Sequence, residues 1–156
     1  MKNNKVIIYT RSATDTQAES GSSLDGQRKR LESYCTKMNY EIVQYCAEEC
    51  SGKTFKRPLF KLLLEYLRQN KEKINFLFVT RWDRFSRNVT DSLNMIRKLS
   101  VLGIEVNAVE QPIDFTIPEN KMMLSFYLTM PEVSNAFKPF KNSSSIRNET
   151  KMVKAY

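Results

Sequence analysis

The sequence predicts a single α/β domain with a largely parallel sheet covered by helices on both faces. Short β-branched apolar segments alternate with longer segments of helical spacing, the pattern of strands joined by crossover helices. At 156 residues the chain can bury one sizeable core and is too short for two ordinary domains. Polar loops follow the strand ends, where domains of this class gather their sites.

Val6 to Thr10 (VIIYT) is short, β-branched and bounded by charge, so it is expected to form a buried strand. The polar stretch from Ser12 to Ser23 is expected to be a loop. From Leu24 the positions of Leu31, Tyr34, Cys35 and Met38 share one helical face. Tyr40 to Cys46 is expected to be a second strand, and Glu48 to Lys56, with Gly52, a second polar loop. Pro58 opens a helix through LFKLLLEYLRQN, since proline suits the first helical turn. Ile74 to Thr80 is the strongest strand pattern. The polar RWDRFSRN precedes a helix carrying Leu93, Ile96, Leu99 and Leu102, which Gly103 ends. IEVNAV is expected to be a fourth strand. From Pro118 the run ENKMMLSFYLTM predicts a last helix, interrupted or restarted at Pro131.

Composition narrows the chemistry. The chain has no histidine and three cysteines, Cys35, Cys46 and Cys50, without a CxxC pair. Reduced thiols, no metal site and no Ser/His or Cys/His couple are therefore expected. No apolar run approaches the roughly 20 residues of a membrane span, and the start lacks a signal-peptide core, so a cytoplasmic location without membrane contact is expected. Lys and Arg outnumber Asp and Glu by 25 to 17, giving a net charge of +8. A polyanionic partner fits that balance. Near the end, Lys138, Lys141, Arg147, Lys151 and Lys154 face only Glu149.

Four arginines, Arg11, Arg57, Arg84 and Arg87, lie at strand ends or in the intervening loop. A guanidinium is permanently charged and presents a planar fork of donors, so several converging on one spot suit a phosphodiester. Phosphoryl transfer gains most from such clamping, because negative charge spreads over the equatorial oxygens in its transition state. The alternative is a set of surface charges paired with neighbours such as Asp83.

YTRSATDTQ, SSLDGQ, SGKTFKRP and RWDRFSRN resemble, in order and spacing, the motifs of serine site-specific recombinases of the resolvase and invertase family. EQPIDFTIPENKMMLSFYLTMPEV continues the likeness towards the mobile-element type. The resemblance implies a resolvase-like three-layer domain over residues 1–138, with a four- or five-stranded, largely parallel sheet and a C-terminal helix. Residues 139–156 would be a polar basic tail or the start of a linker to a DNA-binding region. It further implies DNA recombination or integration without metal, cofactor or small-molecule substrate, through a phosphoserine-DNA intermediate. By position, Arg11, Arg57, Arg84 and Arg87 would bind and polarise the scissile phosphate, and Asp83 would orient or balance them. Tyr9, Gln17, Gln27 and Ser51 would position DNA or phosphate, Ser51 and Gly52 being the family's Ser-Gly pair behind the acidic Glu48. Homodimers or tetramers associating through the last helix would be the working form.

Two departures accompany the likeness. Ala13 occupies the slot of the nucleophilic serine and Ser12 the preceding aliphatic position, and Phe137 stands where related recombinases carry arginine. On an extended strand Arg11 and residue 13 share a face while Ser12 turns away, so Ser12 is a poor substitute unless the chain has left the strand there. The cleavage step is thereby put in question. The alternative is a catalytically inactive module of the same fold that associates with a relative or occupies DNA. A third reading, an α/β domain binding a phosphorylated metabolite or a protein, requires the four arginines to be scattered.

Overall fold

Alternate residues of the first strand feed two separate cores, and this alternation sets where every later side chain lies. The computed structural model describes residues 4–13 and 23–129. Strand β1 spans Lys5–Ser12, α1 Leu24–Met38, β2 Glu41–Glu49, α2 Pro58–Gln69, β3 Phe76–Val79, α3 Trp82–Phe85, α4 Val89–Val101 and β4 Glu105–Ala108. A 3-10 turn, Pro118–Asn120, leads into α5, Lys121–Thr129. The strands form one parallel sheet in the order β2-β1-β3-β4. Parallel strands buried on both faces need apolar residues at successive positions, and Val6 to Tyr9 are all buried.

Val6, Ile8 and Phe78 face α1 and pack with Leu31, Tyr34 and Cys35. Ile7, Tyr9, Leu77 and Val79 face the other way, into a larger core with Phe60, Leu63, Leu67, Trp82, Phe85, Leu99, Leu124 and Tyr127. One helix therefore covers one face and α2 to α5 the other, the three-layer arrangement expected. Local chemistry sets the helix ends. The Ser23 side chain accepts from Gly26 N at 3.0 Å to start α1, and Asn88 accepts from Asp91 N at 2.9 Å to start α4. Asn39 closes α1 in the left-handed region at φ 60°, and Gly103 follows α4 at φ 81°.

Three boundaries differ from the sequence reading. β2 runs through Glu49 rather than stopping at Cys46, because its last residues continue to pair with β1 up to Ser12↔Glu49. β3 is shorter than Ile74 to Thr80. RWDRFSRN contains a helical turn, α3, whose Trp82 and Phe85 are fully buried three residues apart. The last helix begins as expected near Pro118; Leu124 and Tyr127 are buried against their own chain, while Met122 is 66% exposed. Pro131, Phe137 and the basic tail lie outside the described residues.

No helix among the described residues is long and apolar enough to cross a membrane. Nor do they bring three or more Cys, Asp or Glu together in a group that could hold a metal ion. Cys35, Cys46 and Cys50 are free thiols. Burial pushes the Cys35 thiol up to about 12, with the Glu32 charge adding to the shift. In a native thiol-reagent titration at pH 8, Cys35 is expected to stay unmodified and to react only after denaturant is added. Rapid native labelling of Cys35 would contradict its burial.

Candidate phosphate site at the strand ends

Arg11 lies on the same side of β1 as Ile7 and Tyr9, and it is completely buried. β1 stays paired with β2 to its end, but its pairing with β3 stops at Ile8↔Phe78. Beyond that point the strand needs another partner on the β3 side, and Gln27 from the first turns of α1 provides it. Gln27 Oε1 accepts from Arg11 N at 3.1 Å, and its Nε2 donates to Arg11 O at 2.9 Å. Gln27 is itself buried, so its side-chain amide holds the backbone that carries the guanidinium.

The Arg11 guanidinium donates to three carbonyls, one from the loop after β2 and two from α3: Nε to Arg84 O at 3.1 Å, Nη1 to Cys50 O at 2.8 Å and Nη2 to Asp83 O at 2.5 Å. It thereby ties the end of β1 to the loop after β2 and to α3. Among the described residues no carboxylate forms an ion pair with it. Burial first, and then the Arg57 charge with further repulsion from Arg84 and Arg87, pull its pKa down to about 10. The charges of Arg57, Arg84 and Arg87 thus all act on Arg11, in spite of their mutual repulsion.

Arg57 sits at the N-cap of α2 and is also buried. Its Nε donates to Thr54 O at 3.0 Å, and its Nη1 donates to Phe85 O at 2.7 Å and to the Tyr9 hydroxyl at 3.2 Å. The guanidinium carbon stands 4.4 Å from the Phe55 ring centroid, a cation–π contact that steadies the charge. Nη2 is buried with no hydrogen-bond partner among the described residues. Tyr9 in turn donates to Glu48 Oε2 at 2.8 Å, and burial raises its pKa well above the usual phenol range.

α3 presents the remaining charges. Arg84 is largely buried, with its Nε 3.8 Å from Asp83 Oδ1, and Arg81 Nε lies 3.9 Å from the same oxygen. These are ion pairs beyond hydrogen-bond length, and that oxygen has no hydrogen-bond partner among the described residues. Gln111 fixes the helix by accepting from Trp82 N at 2.9 Å and, through its carbonyl, from Trp82 Nε1 at 2.8 Å. Arg87 is exposed, and its backbone N donates to Gly52 O at 2.8 Å. A Cβ on Gly52 would stand 2.6 Å from Arg11 Nη2 and 2.9 Å from Arg87 Cγ, so the two arginines flank this glycine and leave no room for a side chain.

Thus Tyr9, Arg11, Arg57, Asp83, Arg84 and Arg87, drawn from three separate segments, meet at one end of the sheet. Ser51 lies beside them, exposed, its Oγ accepting from Lys53 N at 3.2 Å. Ser12 ends β1 opposite Glu49, half exposed, and its carbonyl accepts from Cys50 N at 3.0 Å. Ala13 follows directly. Gln17 lies outside the described residues. The sequence reading did not foresee the carbonyls of Cys50, Asp83 and Arg84, nor Gln111, because neither residue type nor spacing marks a backbone acceptor or a glutamine that braces a distant turn.

A family sequence profile described as "Resolvase, N terminal domain" matches residues 6–152. The uncharacterized immunity region protein 3 of Bacillus phage phi105 is 32% identical over 65 residues, 41% of this chain and 79% of that protein. Among solved structures, the N-terminal catalytic domain of TP901-1 integrase superposes with a TM-score of 0.66 at 27% identity, covering 85% of this chain and 97% of that one. A resolvase family site-specific recombinase from Streptococcus pneumoniae gives 0.61 at 28% identity, covering 94% and 92%.

Proposed function

Because the chain belongs to the resolvase N-terminal domain family, we propose that its arginine cluster receives a DNA phosphodiester during site-specific recombination. The observation that carries this reading is the buried, unpartnered Nη2 of Arg57 beside three further guanidinium groups. A buried donor without an acceptor is costly, and a phosphate oxygen is the acceptor that the surrounding charge favours. Arg84 and Arg87, less encumbered than Arg11, supply the more accessible contacts. Asp83 balances Arg84 without neutralising it. Residues 1–138 are the proposed catalytic unit, and a homodimer or tetramer associating through the last helix is the proposed assembly.

Ala13 favours a second reading, a module that occupies DNA or pairs with a relative without cutting. A missing hydroxyl leaves the field of the arginines unchanged, so phosphate affinity survives the loss of chemistry. The first reading and the DNA-occupying form of the second require DNA binding, and a labelled duplex of about 20 base pairs titrated by fluorescence anisotropy over a range of salt tests it. Each phosphate contact contributes roughly 0.9 to the slope of log affinity against log salt. Arg57→Gln is expected to lower that slope by about one contact and to weaken binding about tenfold at low salt. An unchanged slope would remove the phosphate from this pocket.

A further inference from the structure

We propose that Glu48 is a positioning residue that aims Arg57 at the phosphate, an inference that rests on the phosphate reading above. Glu48 sits near the end of β2, is 4% exposed, and spends each carboxylate oxygen on a different partner. Oε2 accepts the Tyr9 hydroxyl at 2.8 Å, and Oε1 accepts Leu59 N at 3.1 Å in the first turn of α2. Arg57, at the N-cap of that helix, makes no side-chain cap of its own. A helix start leaves backbone N–H groups without partners and carries partial positive charge, so a carboxylate from a neighbouring strand is the favourable replacement.

Glu48 therefore grips Arg57 from two directions. Through Leu59 it fixes the start of the helix from which Arg57 projects. Through Tyr9 it fixes the hydroxyl that accepts from Arg57 Nη1 at 3.2 Å. Because the Tyr9 proton is committed to Glu48, the phenol oxygen is turned to accept from Arg57 and cannot donate elsewhere. Nη1 and Nε are held in this way, and Nη2 is left as the one unengaged arm. The carboxylate lies one hydroxyl away from the guanidinium, so it orients the charge without capping its free donors.

Positioning and bulk electrostatics predict opposite signs for one substitution. Glu48→Gln removes a negative charge next to a phosphate site, which by field alone tightens DNA binding. If Glu48 aims Arg57, the same change weakens binding. In the anisotropy titration of the full chain with the 20-base-pair duplex, Glu48→Gln is expected to lose about tenfold in affinity and about 0.9 in salt slope. Tyr9→Phe, which cuts the link to Arg57 while leaving the Leu59 contact, is expected to show the same slope change. In an Arg57→Gln background the Glu48→Gln loss is expected to disappear, since both act through one contact.

Binding by Glu48→Gln and Tyr9→Phe as tight as the parent, or tighter, overturns the inference. So does a Glu48→Gln loss that persists in full in the Arg57→Gln background, an outcome that leaves the phosphate reading intact. If Arg57→Gln alone leaves affinity and slope unchanged, the phosphate reading fails and the role of Glu48 falls with it.

Discussion

With serine in place of Ala13, the chain incubated with DNA carrying its crossover site is expected to form a covalent protein–DNA adduct that the parent does not. The arginines that would stabilise the developing charge on phosphorus are assembled around the end of β1, and residue 13 directly follows that strand. Without an attacking oxygen that stabilisation has nothing to act on, and removal of a nucleophile from an otherwise intact site costs on the order of 10⁴-fold or more. Denaturing electrophoresis of end-labelled DNA separates the adduct, and peptide mapping locates the attachment. An adduct on Ser12 of the parent chain would show that the neighbouring hydroxyl has taken over. Ala13→Ser that binds DNA yet forms no adduct would place a second defect elsewhere in the site.

The largest stability effect is expected at Arg11. Arg11→Met keeps much of the volume and removes every donor, leaving the carbonyls of Cys50, Asp83 and Arg84 without their partner. Each orphaned buried acceptor costs about 1–3 kcal/mol. Against this, removing the charge relieves repulsion and burial that depress the Arg11 pKa from 12.5 to about 10, a term of about 3 kcal/mol at 1.36 kcal/mol per pKa unit. The acceptors outweigh it, and a net loss of about 3 kcal/mol lowers the melting temperature by roughly 6–12 °C for a chain of this size. Circular dichroism melting measures this directly. A shift within about a degree would mean that Arg11 serves the ligand and not the fold.

The sheet and its helices were legible because their signals are local. Proline in the first turn of α2, the left-handed glycine after α4 and the β-branched run of β1 each act within a few residues. The end of β2 was not legible: Glu48 and Glu49 are charged, and only pairing with β1 and the buried contacts of Glu48 hold them in the strand. α3 was missed as a polar stretch although Trp82 and Phe85, three apart, carried a helical signal too short to stand alone. For the site, position at the strand ends and in the intervening loop picked out the arginines and the resemblance gave them a role, while neither could apportion their labour. Arg11 turned out to brace the loop after β2 and α3, and Arg57 to hold the free donor, a division decided by acceptors distant in sequence.

That the Arg11 brace is built on carbonyl dipoles and not on carboxylates has a practical corollary. Mobile ions screen charge–charge attraction far more than short hydrogen bonds sealed from solvent. A concentrated chloride wash should therefore strip bound nucleic acid from the protein during purification while the pocket keeps its shape, ready to reload on dialysis.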